Sequence, residues 1–124
     1  MAGVSSHSIR ECVARYVSAV QEATNAIGHG APGGLFAACH RAACDALSRA
    51  QVDPDILAAL SRLGEPAAIL AAVFLQKKCS DVPGFRERTR AESLRFVEVA
   101  GALDPMLMVW MIRKVIHVQP AKLR

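Results

Sequence analysis

Nine apolar residues in succession, Ala67 to Leu75, lie between Pro66 and Gln76. No other stretch limits the possible folds so sharply. Proline suits the first turn of a helix, where its missing N–H costs nothing. A helix that is apolar on every side is stable only when neighbours surround it. At about 1.5 Å of rise per residue it is far too short to cross a bilayer, and no transmembrane segment is expected. Pro66–Gln76 therefore reads as the buried central helix of a small helical protein.

The flanking sequence supplies what such a helix needs. In the first segment Ile9, Cys12, Val13, Tyr16, Val17, Val20 and Ile27 recur at helical spacing, opposite Arg10, Glu11, Arg15, Gln21 and Glu22. Ser6 or Ser8 is placed to cap its start, and Gly28 to close it. A flexible connection, Gly28–Gly34, is expected next, then a second helix from about Leu35 to Ala50 burying Leu35, Phe36, Cys39, Ala43 and Leu47. Asp53-Pro54 pairs a cap with proline at the first helical position, opening a short helix that Gly64 ends. Glu65 and Asp104 also precede proline and are expected to serve helix starts in the same way. Cys79–Gly84 reads as a turn, Phe85–Leu103 as a fifth helix and Met106–His117 as a sixth. The expected fold is all-α: about six short helices in one compact domain, residues 1–124, around Pro66–Gln76. Alanine-rich composition and the lack of β-branched runs support that class.

Charge divides the chain unevenly. Residues 1–62 carry five Lys/Arg and five Asp/Glu, so the whole net charge of +4 falls in the second half. Lys77, Lys78, Arg86, Arg88 and Arg90 crowd around the expected turn, a pattern that can hold phosphates of nucleic acid or anionic lipid, or an acidic protein. Glu87, Glu92 and Glu98 are interleaved and expected to offset them through helix-surface pairs.

The four cysteines sit among helical patterns rather than in a disulfide array, and no secretory signal opens the chain. A reducing intracellular compartment is expected. The serine- and arginine-bearing opening has the amphipathic character of a mitochondrial presequence, but Glu11 and Glu22 argue for reading it as part of the fold.

Chemistry-bearing clusters are sparse. His40 and Cys44 are four apart and share a helix face; Cys39 is rotated about 100° from His40 and is the weakest member of a metal set. Paired short spacings such as CxxC are missing, so no metal is assigned. GHGAPGG matches neither phosphate-loop pattern, and no cofactor is implied. The helix–Gly64–helix arrangement superficially fits a helix-turn-helix, but the second helix has no polar side chain before Gln76 to read bases. Nothing calls for catalysis.

Excess hydrophobicity is the remaining clue. Met106–Ile112 is the second helix that is apolar over most of its circumference, yet a bundle this size fully encloses about one. Exposed apolar surface on the sixth helix, rich in methionine and tryptophan, points to docking on other protein subunits. Met108, Trp110, Met111, Arg113 and Lys114 are the expected contacts, and Trp110→Ala with Met111→Ala the expected way to abolish docking. The function expected is a non-enzymatic accessory subunit of a larger assembly; the other reading is a small basic nucleic-acid-binding or regulatory protein using Lys77–Arg90.

Overall fold

A computed structural model describes residues 6–27, 32–49 and 51–114 of the chain. Its six helices are α1 (Ser6–Ile27), α2 (Pro32–Ser48), α3 (Pro54–Leu63), α4 (Pro66–Lys78), α5 (Phe85–Leu103) and α6 (Pro105–Lys114), and the described residues contain no strand. The all-α reading holds, and so do the bounds of α3 and α5; α4 starts at Pro66 as expected but runs past Gln76 to Lys78.

Three helices surround α4. It packs chiefly on α2, then on α1 and α3. Ile69, Leu70, Ala71, Ala72, Val73 and Leu75 are buried on every side of its axis, as an all-round apolar helix requires. Lys77 and Lys78 stay exposed at its C-terminal end, where positive charge complements the helix dipole. α3 and α4 meet at 99°. No single described helix is long and apolar enough to span a membrane; α3 and α4 together have the length and composition, but bent at that angle.

α1 packs chiefly on α5. Ile9, Cys12, Val13, Tyr16, Val20 and Ala23 form its buried stripe. Tyr16 stacks on Phe96 of α5 with ring centroids 4.3 Å apart. Tyr16 Oη, Ser93 Oγ and Gln76 Oε1 are buried without a hydrogen-bond partner among the described residues. Burial pushes the Tyr16 phenol well above the ordinary tyrosine range. The charged first half of α5 also carries a core stripe, Phe85, Thr89 and Ser93. Gln76 Nε2 donates to Thr89 Oγ1 at 3.2 Å, tying the end of α4 to that stripe.

Two local expectations change. α2 begins at Pro32, so Pro32–Gly34 are its first turn rather than part of the connection; proline belongs at such a position. The rest of that connection, Gly28–Ala31 with its His29, lies outside the described residues, as does Ala50. Glu65 precedes α4 but makes no capping hydrogen bond; its longer side chain lacks the reach geometry of aspartate. Asp53 does cap, its Oδ1 accepting from Asp55 N at 2.8 Å. Asp104 Oδ1 likewise accepts from Met106 N at 3.0 Å. The α4–α5 turn closes on Gly84 at φ 86°, a left-handed conformation that favours glycine.

Candidate functional site

The cap-plus-proline devices at Asp53 and Asp104 set the starting points of α3 and α6, and the two helices enclose a groove of about 670 Å³. Asp53, Asp55, Ile56 and Arg62 line it from α3 and its cap; Met106, Val109, Trp110 and Arg113 line it from α6. Arg62 Nη2 meets Asp104 Oδ2 at 3.5 Å, joining the end of α3 to the start of α6. That pair is too exposed to hold much by itself. Asp53 and Asp55 then stand near the start of α3, with Arg113 near the end of α6, so the groove carries charge of both signs around an apolar floor.

The residues of α6 divide by face. Leu107 and Met111, four apart, are fully buried against the core. Met106 and Val109 face outward at 69% and 44% exposure, and they are the exposed large hydrophobics among the described residues. Trp110 is half-buried and lines the groove, and Arg113 is exposed. Met108 turns toward α5, where a Cβ on Gly101 would stand 2.6 Å from its sulfur. A side chain at residue 101 would oblige Met108 to shift.

Of the five expected docking residues, then, Trp110 and Arg113 line the groove while Met108 packs on α5. Met111 requires correction. With no exposed surface it cannot touch a partner in this fold, because the inner stripe of α6 takes it into the core. Trp110→Ala with Met111→Ala would accordingly damage core packing. The side chain of Lys114 lies outside the described residues. Sequence reasoning missed Met106, Val109 and the entire α3 wall.

A second groove, about 570 Å³, runs between α1 and the α3–α4 turn, with Arg10, Val17, Ser61 and Glu65 among its lining residues. It presents no strongly exposed large apolar side chain.

At the α4–α5 corner Lys77, Lys78, Arg86, Arg88 and Arg90 are all exposed. The ion pairs among the described residues, Arg49–Asp45 at 3.0 Å and Arg62–Asp104, do not involve them. The expected neutralisation by Glu87, Glu92 and Glu98 is therefore not realised as ion pairs. The 99° angle between α3 and α4 suits a helix-turn-helix, but α4 is enclosed and cannot enter a DNA groove.

His40 and Cys44 do come together, Nδ1 and Sγ being 3.8 Å apart on the outer side of α2. Cys39 is buried on another face, so the three do not converge, and no group of three or more metal-ligating side chains occurs among the described residues. Burial pushes the thiols of Cys12, Cys39 and Cys79 above the ordinary range, against smaller opposing effects of Arg95 at Cys12 and Lys78 at the other two.

Comparison of the chain with protein-family models, with curated proteins and with solved structures finds no match.

Proposed function

We propose that the protein is a non-enzymatic helical subunit of a larger assembly in a reducing intracellular compartment, docking through the outer face of α6 and the groove it forms with α3. One observation carries this reading. Met106 and Val109 stand exposed beside half-buried Trp110, at the mouth of a groove with charge on both walls. Apolar anchors within a polar rim are the usual make-up of an interface centre. The partner that fits is a protein segment, such as an amphipathic helix, that sets apolar side chains on Ile56 and Val109, a cation near Asp55 and a carboxylate near Arg113.

The test is affinity capture from the native source, nuclease-treated and in moderate salt, with the parent chain beside a Met106→Glu, Val109→Glu variant. Both substitutions are on exposed positions and leave the core alone. The parent is expected to retain a fixed set of proteins and the variant to lose it at an unchanged helical circular-dichroism signal. Equal retention by both would reject the reading.

The unpaired cations at the α4–α5 corner favour a second reading, contact with nucleic acid or another polyanion. Its mark would be an affinity that falls steeply with salt and survives the α6 substitutions.

A further inference from the structure

We propose that Cys44 and His40 form a reactive thiol–imidazole pair, a site for mixed-disulfide formation with small disulfides of the glutathione type. The proposal stands on the contrast between this thiol and the other three. Cys12, Cys39 and Cys79 are buried, and an attacking disulfide cannot reach them in the folded chain. Cys44 is exposed on the outer side of α2, and its sulfur lies 3.8 Å from His40 Nδ1. Residues four apart on a helix hold that approach without any loop to move. His40 is itself half-buried, its ring tilted against Phe36 at a centroid distance of 6.3 Å one turn earlier, so the base is steadied from behind. In the tautomer with its proton on Nε2, the ring accepts from the thiol.

The step balances as an exchange. The Cys44 proton passes to His40 Nδ1, and the sulfur's electron pair forms a bond to one sulfur of the incoming disulfide. The reagent's own S–S bond breaks. Its second sulfur leaves with the electron pair of that broken bond and recovers the proton from His40 through solvent. Cys44 is oxidised, and one equivalent of the small thiol is released reduced. No further oxidant is needed. The modified residue would carry a bulky polar group on α2, remote in sequence from the α3–α6 groove.

Glutathione disulfide added to the native protein, followed by peptide mass mapping, tests this first without any variant. A single fast modification at Cys44 is expected, with the buried cysteines joining only in denaturant. Mapping to any other cysteine would overturn the site. The role of the imidazole is then read from rates: His40→Gln is expected to slow modification of Cys44 by roughly tenfold or more, with α2 still folded by circular dichroism. A His40→Gln variant reacting at the parent rate would overturn the pair.

Discussion

α4 and α6 are both nearly continuous runs of apolar residues, yet the fold treats them oppositely. α4 is covered by α1, α2 and α3, and its buried residues face every direction. α6 packs on α5 and, more lightly, on α3, so Leu107 and Met111 are consumed by the core while Met106 and Val109 are left outside. Apolar content alone does not determine burial; the number of neighbours does. A helix at the margin with surplus apolar residues keeps an apolar face that its described neighbours leave uncovered.

The sharpest way to break that comparison is truncation inside each helix. Leu70→Ala in α4 and Met111→Ala in α6 should each cost about 2–5 kcal/mol, because both side chains are fully enclosed. Val109→Ala on the outer face should stay within about 0.5 kcal/mol. Urea unfolding monitored by circular dichroism measures all three, and a Val109→Ala cost equal to that of Leu70→Ala would erase the distinction. A smaller effect sharpens the picture of the groove. Asp53→Ala removes the cap from which α3, its other wall, starts, and should cost about 1 kcal/mol by the same measurement. No loss there would mean that packing alone places α3.

How much of this was legible in the sequence follows from the same physics. An all-round apolar helix has one physical solution, so α4 could be placed in the centre before any coordinates. The Asp-Pro pairs at 53–54 and 104–105 mark helix starts by a local mechanism, and they held. Glu65-Pro66 resembles them but lacks the side-chain geometry. The division of α6 was only half legible. Helical spacing separates 107 and 111 from 106, 109, 110 and 113, but both stripes are apolar, so periodicity could not tell which one faced the core. That is why Met111, which is buried, stood among the expected contacts while Met106 and Val109, which are exposed, did not. The α3 wall was invisible for a different reason: its residues are some fifty positions away, joined to α6 by tertiary contacts such as Arg62–Asp104.

The central claim is that the outer face of α6, and not the basic corner, meets the partner. A photo-crosslinking amino acid placed at residue 109, with a second chain carrying it at residue 90, tests this most directly. Irradiated in extract from the native source, position 109 is expected to yield one defined protein adduct and position 90 none. Nucleic-acid adducts from position 90 with none from position 109 would contradict the account.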